Sequence, residues 1–387
     1  MTAILKNVGS DIKAILAEKE LDGDGAYWRK RMERVAADDV RKALAQPPGS
    51  YNPERLVTLV SPAAADCLED MAQSARQLTI QRFGKTIRLY APLYLSNYCT
   101  NSCLYCGFNR TSKFQRRRLS IAQAVSEANI IAAEGFSDIL LVSSEDRDHI
   151  SIEYLAELAQ ELRKNFSFIA MEVYSMNRDE YSQLFNAGVE GVTLYQETYN
   201  RQVYDYYHPA GTKADYDTRL DAPDEIAAAS MREIGLGALL GLADWRTETL
   251  ALAEHAHYLM KHYWQSHVSF SFPRLRPAHE VERSQFRHLL GDTELAQMIL
   301  ALRLCFADAG LVLSTREPAK LRDHFINLGI TRISAGSKTS PGGYSGHDDS
   351  GRQFEVDDNR TAGEVAEMIK QQGMEPVFKD WDRHFIS

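Results

Sequence analysis

Ile87-Arg-Leu-Tyr-Ala-Pro-Leu-Tyr-Leu-Ser96 is followed closely by Cys99-Thr-Asn-Ser-Cys103-Leu-Tyr-Cys106. A short apolar run that ends in polar residues reads as a buried strand. The loop after it carries three of the chain's five cysteines. Cysteine thiolates hold iron–sulfur clusters, usually four to a cluster. Here three lie together, and no fourth is near. Three thiolates on a four-iron cluster leave one iron open to a small molecule. Two other readings stand beside this one: a zinc site completed by a remote histidine, or three buried thiols without a ligand.

The strand pattern recurs outward from this stretch. Eight apolar segments are predicted as strands: 87–95, 138–143, 168–174, 191–196, 235–242, 267–273, 311–315 and 331–335. Helix-period segments separate them, and several end in Gly, as at Gly135, Gly188 and Gly310, the expected helix stop. Eight strand–helix units in this length predict an α/β fold, a (β/α)8 TIM-type barrel. An open doubly wound sheet has the same pattern. In either fold the polar residues at the strand ends line the site, and the cysteine loop lies on that face. Residues 1–85 read as a helical extension, with helices over Asp11–Glu20, Ala26–Ala45 and Ala63–Arg82. The barrel is expected over 86–337. Residues 338–387 read as loop plus one helix, 362–372, and as a cover for the barrel mouth or a static turn.

Bulk properties narrow the function classes. The 387 residues are 44% hydrophobic and 25% charged, with a net charge of −9. That balance argues against a general nucleic-acid binder. No 18-residue apolar stretch and no signal-peptide core are visible, so a cytoplasmic protein without a membrane span is expected. No acidic residue lies between Asp70 and Glu127, whereas Arg110, Lys113, Arg116, Arg117 and Arg118 crowd the cysteine region. This zone is a solvated face or a docking patch for an acidic electron donor. Cys67 and Cys305 read as buried apolar residues.

The CxxxCxxC spacing, with Tyr105 before the last cysteine, resembles the radical S-adenosylmethionine (SAM) signature. Further segments match in order: Ser61-Pro-Ala-Ala, Gln81-Arg-Phe-Gly, Pro92-Leu-Tyr-Leu-Ser-Asn, Tyr195-Gln-Glu-Thr-Tyr, Ile234-Gly-Leu-Gly-Ala-Leu, Ser271-Phe-Pro-Arg-Leu-Arg-Pro, Ser314-Thr-Arg-Glu, Ser337-Lys-Thr-Ser-Pro-Gly-Gly-Tyr and Lys379-Asp-Trp-Asp. Together they resemble the radical SAM aromatic amino acid lyases, and most closely the tyrosine lyases of thiamine biosynthesis. The hydrogenase-maturation tyrosine lyases carry a second cluster on three C-terminal cysteines, and no cysteine follows Cys305 here. Tryptophan lyases are the other relatives.

The resemblance implies a [4Fe-4S] cluster on Cys99, Cys103 and Cys106, with SAM on its open iron. It implies radical cleavage of the Cα–Cβ bond of L-tyrosine to 2-iminoacetate and p-cresol, with SAM split to 5′-deoxyadenosine and methionine. Thiazole synthase is the implied partner, and a flavodoxin- or ferredoxin-type protein the implied donor. Tyr105 would lie along the adenine, Glu145 would accept from the methionyl ammonium, and Gln196 and Glu197 would meet the ribose. Ser144-Glu145 replaces the family's usual Gly-Glu pair. Arg316 is the candidate grip for the substrate carboxylate, or a salt-bridge partner of Glu317. Ser314 would assist it, and Tyr94 would touch the substrate amine or pack in the core. One of Arg274 and Arg276 would face the phenol, while the other pairs at the surface. His208 reads as structural.

Overall fold

The computed structural model describes residues 11–281, 283–346 and 351–379. The N-terminal reading at residues 1–10 and the segment Asp380-Trp-Asp lie outside the described residues.

Five helices precede the sheet: α1 (Ile12–Glu18), α2 (Ala26–Met32), α3 (Ala37–Ala45), α4 (Pro53–Leu59) and α5 (Leu68–Phe83). The segment expected as one helix over 26–45 is two, separated at 33–36 without Pro or Gly, and α4 was not expected. Asn52 caps α4, whose first residue is Pro53, as suits a helix start. These helices bury Leu16, Met32, Val40, Leu56 and Met71 in the same core as the strands that follow.

The sheet strands and their helices alternate: β1 (Thr86–Ser96), α6 (Ile121–Ala133), β2 (Asp138–Ser143), α7 (Ile152–Leu162), β3 (Phe168–Glu172), α8 (Arg178–Ala187), β4 (Gly191–Thr193), α9 (Arg201–Tyr207), α10 (Tyr216–Ala228), β5 (Glu233–Gly237), α11 (Trp245–His262), β6 (His267–Ser271), α12 (Asp292–Cys305), β7 (Gly310–Leu313), α13 (Ala319–Phe325), β8 (Arg332–Ser334), α14 (Ala362–Gln371) and β9 (Glu375–Val377). All pairings between these strands are parallel, and β1 pairs with both β8 and β2, which closes the barrel. The open-sheet alternative is thereby excluded. β9, a strand missed in the sequence, pairs with β1 over Thr86–Arg88, below the point where β2 begins its pairing at Ala91.

Both faces of the strands are buried, which explains their near-continuous apolar runs. Leu89, Leu93, Ile139, Leu141 and Ile169 pack outward against helices. Tyr90, Tyr94, Leu140, Val142, Phe168 and Val312 point inward. The period of two along each strand assigns these faces. At the bottom Arg88 pairs with Asp138, and Arg332 pairs with Glu233 at 2.6 Å. This charged layer lies at the strands' N-terminal ends. The cavity lies at the other end, as is usual for such barrels.

Candidate active site

Register places the cavity walls. Tyr94 of β1 sits opposite Val142 of β2, which sits opposite Glu172 of β3. Beyond β1 the chain leaves the sheet and forms the cysteine loop. Its backbone is tied to neighbouring loops: Thr100 N donates to Glu145 O, Ser102 N to Ala210 O, and Leu104 N to Tyr207 O. Arg116 binds its carbonyls, donating to Asn97 O, Phe108 O and Asn109 O. Gly211, at φ +106°, lies so close that a Cβ there would meet Asn101 Oδ1 at 2.1 Å.

Cys99, Cys103 and Cys106 all line one cavity. None is in a disulfide. Burial pushes the Cys106 thiol up to about 11, and raises Cys99 and Cys103 as well. Such thiols ionise only against a strong cationic partner, which an iron centre supplies. A zinc site would instead need donors about 2.0–2.3 Å from one point. Among the described residues no group of three His, Cys, Asp or Glu is so placed. An all-sulfur donor set lining one cavity fits an iron–sulfur cluster held by three cysteines.

A charge network forms the adjoining wall. Glu145 pairs with Arg219 at 2.9 Å and accepts from Asn101 Nδ2 and Thr212 Oγ1. Glu197 pairs with Lys213 at 2.5 Å, with Arg219 at 3.9 Å. Burial alone would raise the Glu197 carboxyl, but Lys213 and Arg219 hold it below its ordinary value. Glu197 has φ +69°, a left-handed backbone that costs a non-glycine residue energy. Such strain clusters at functional sites. Tyr105 donates to His208 Nε2 at 2.8 Å, because His208 Nδ1 lies 2.7 Å from the Tyr204 carbonyl and must carry the proton. Burial, with Lys213 nearby, lowers His208 to about 4, so it stays neutral. His208 therefore orients Tyr105.

A second compartment continues into the barrel and shares Val142, Glu172, Tyr195, Pro273, Arg316 and Phe354 with the first. Tyr94 and Ser314 line it. The Tyr94 hydroxyl donates to Gln353 Oε1 at 2.6 Å. Arg316 faces both compartments, its Cζ 3.4 Å from the centre of the Phe354 ring. It does not pair with Glu317. That acid is taken by Arg274, which also binds Asp292 at 2.8 Å.

Two candidate residues stand apart from the cavity. Arg274 is turned away into its pair with Glu317, and Gln196 turns its amide to the Tyr216 carbonyl. Arg276 reaches the rim of the first compartment and pairs with Asp357. The remaining candidates, Tyr94, Cys99, Cys103, Tyr105, Cys106, Glu145, Glu197, Ser314 and Arg316, converge on it.

The C-terminal segment reaches the cavity. Gln353 and Phe354 line the cavity, and Gly107 N donates to Gln353 O. A Cβ on Gly107 would come within 2.8 Å of Arg352 O, so only glycine permits this approach. The Gly-rich turn is pinned: Glu127 accepts from the backbone N–H groups of Tyr344 and Ser345, both at 2.9 Å. Tyr344 also donates to Pro92 O.

A closed parallel barrel with three cysteines after its first strand defines a radical SAM enzyme. The Radical SAM superfamily model matches residues 93–253, and the Biotin and Thiamin Synthesis associated domain matches 271–375. The chain is 42% identical to the 2-iminoacetate synthase of Salmonella typhimurium, over 92% of this chain and 93% of that protein. It is 41% identical to that of Escherichia coli, over 95% and 96%. The crystal structure of HydG, a maturase of the [FeFe]-hydrogenase, superposes with a TM-score of 0.88 at 29% identity, over 98% of this chain and 84% of that one. This chain belongs to the 2-iminoacetate synthase family.

Proposed function

We propose that this chain is a tyrosine lyase, splitting L-tyrosine at Cα–Cβ into 2-iminoacetate and p-cresol for thiazole formation. The observation that carries this reading is Arg316. It faces the cysteine-lined cavity, and among the described residues it has no acidic partner. A guanidinium presented this way suits a substrate carboxylate. Stacking on Phe354 fixes its plane.

Cys99, Cys103 and Cys106 would hold the [4Fe-4S] cluster, with Glu145, Glu197 and Tyr105 around SAM. Together these groups supply a 5′-deoxyadenosyl radical when bound. The chain's own residues bind, orient and exclude water. Arg316 and Ser314 hold the carboxylate end, and Tyr94 lies beside the amine. The inner wall of Tyr90, Leu140, Val142 and Val312 receives the aromatic ring. Gln353 and Phe354 cover the mouth, which matters because the imine product hydrolyses in water. Direct handover to thiazole synthase follows, and adding that partner should reduce the glyoxylate released.

With L-tyrosine present, the anaerobic reduced enzyme should form 5′-deoxyadenosine faster than without it. Arg316→Ala should keep its iron and SAM binding and lose this stimulation. Arg316→Lys should recover part of it, since an ammonium lacks the planar fork. Full tyrosine stimulation in Arg316→Ala would place the carboxylate elsewhere.

A further inference from the structure

Glu172 ends β3 and has no part in the reading above. Paired residues across a sheet point to one face, so Glu172 enters the barrel beside Val142 and Tyr94. It lines both compartments, at the boundary between the cysteine loop and the inner wall. Acids in such places are paired or hydrogen-bonded as a rule. The neighbouring acids obey it: Glu145 has Arg219, Glu197 has Lys213 and Glu317 has Arg274. Among the described residues, the Glu172 carboxylate has no ion pair or hydrogen bond, and only its backbone is engaged, in the sheet. Arg316 faces the same cavity and also lacks an acidic partner among the described residues, and the two form no ion pair with each other. The groups whose charge reaches Glu172 are Arg316, Glu197, Lys213 and Arg219. Burial raises its carboxyl, and Arg316 opposes that rise.

An unpaired anion and an unpaired cation in one cavity are complementary to a zwitterion. We propose that Glu172 receives the α-ammonium group of the amino-acid substrate while Arg316 holds its carboxylate. The two charges then fix the amino-acid headgroup at two points. They set its nitrogen at the boundary nearest the cysteine loop and leave the side chain to the inner compartment. This inference rests on the amino-acid lyase reading, and adds the residue that would recognise the amine.

The test measures equilibrium binding to the cluster-loaded, SAM-bound, unreduced enzyme. The probes are L-tyrosine and 3-(4-hydroxyphenyl)propionate, which lacks only the amine. Wild type should prefer tyrosine by about thirty-fold, the scale of a buried charge pair. Glu172→Gln should abolish that preference while leaving iron content and SAM affinity unchanged, and Glu172→Asp should restore part of it. Arg316→Gln should weaken both probes and keep the preference. An unchanged preference in Glu172→Gln would overturn the inference alone. Weakened SAM binding with unchanged preference would overturn it too, and would assign Glu172 to SAM. Wild type that binds neither probe would overturn the tyrosine reading and this inference with it.

Discussion

Buried thiols resist ionisation, and the cluster proposed for this site needs that resistance overcome at three sulfurs together. Cys106 is raised to about 11 by burial, with Cys99 and Cys103 raised beside it. A metal centre reverses this balance by binding only the thiolate. Replacing Cys99, Cys103 or Cys106 by Ala should therefore remove the iron and end SAM cleavage. Cys305, buried in α12, and Cys67 should be replaceable without loss of iron. Iron per chain and visible absorbance read this directly. Normal iron in Cys99→Ala would contradict the ligand assignment. The cysteines were legible because their spacing is a local signal. Glu172 falls among the polar strand ends expected to line the site, whereas Lys213 and Arg219 carried no such signal. Arg219 meets Glu145 across 74 positions of chain, and a buried charge in a helix has the same sequence pattern as a solvated one.

At the scale of elements, the strands were legible and the helical extension less so. Each predicted strand overlaps an observed one, because both faces are apolar and glycine marks many helix ends. The break between α2 and α3 left no Pro or Gly, and β9 is three residues long. The basic run after the cysteines separates into two roles that its composition hides. Arg116 is half-buried and holds loop carbonyls, so charge reversal there should damage the loop itself. Arg110, Lys113 and Arg118 are exposed and remain available to an acidic electron donor. Reversing Arg110 and Arg118 to Glu should slow reduction by an acidic flavodoxin-type protein, with little effect on reduction by dithionite. The native rate should fall with salt, since exposed charges are screened over about 8 Å at physiological ionic strength. No slowing with the protein donor would make the run a solvated face.

Across the whole molecule, one core joins the helical extension to the barrel, and buried ionisable groups couple its stability to pH. His255 is buried on α11 with its Nδ1 3.0 Å from the Tyr199 hydroxyl. Burial lowers it to about 3. The unfolded chain takes up its proton near pH 6.5, the folded chain only near 3, so His255 favours unfolding increasingly as pH falls between those values. At pH 5 that amounts to about 2 kcal/mol. Glu248, raised by burial to about 7, has the opposite sign, and its contribution is lost as pH rises through 7. Comparing wild type with His255→Gln cancels the Glu248 effect. The stability advantage of wild type over His255→Gln should shrink by about 2 kcal/mol from pH 7.5 to pH 5 in denaturant titrations. A constant gap would show that His255 is charged or exposed. The barrel, the cysteine loop, Gln353 and Phe354 line adjoining compartments of one cavity, and the chemistry proposed for it has a direct readout. The reconstituted, reduced enzyme should be given SAM with L-tyrosine or L-tryptophan, and its products identified by mass spectrometry. Tyrosine should give p-cresol, glyoxylate from hydrolysed 2-iminoacetate, and 5′-deoxyadenosine in equal amounts, while tryptophan gives no cleavage product. Cleavage of tryptophan, or tyrosine recovered intact while SAM is consumed, would contradict the tyrosine lyase assignment.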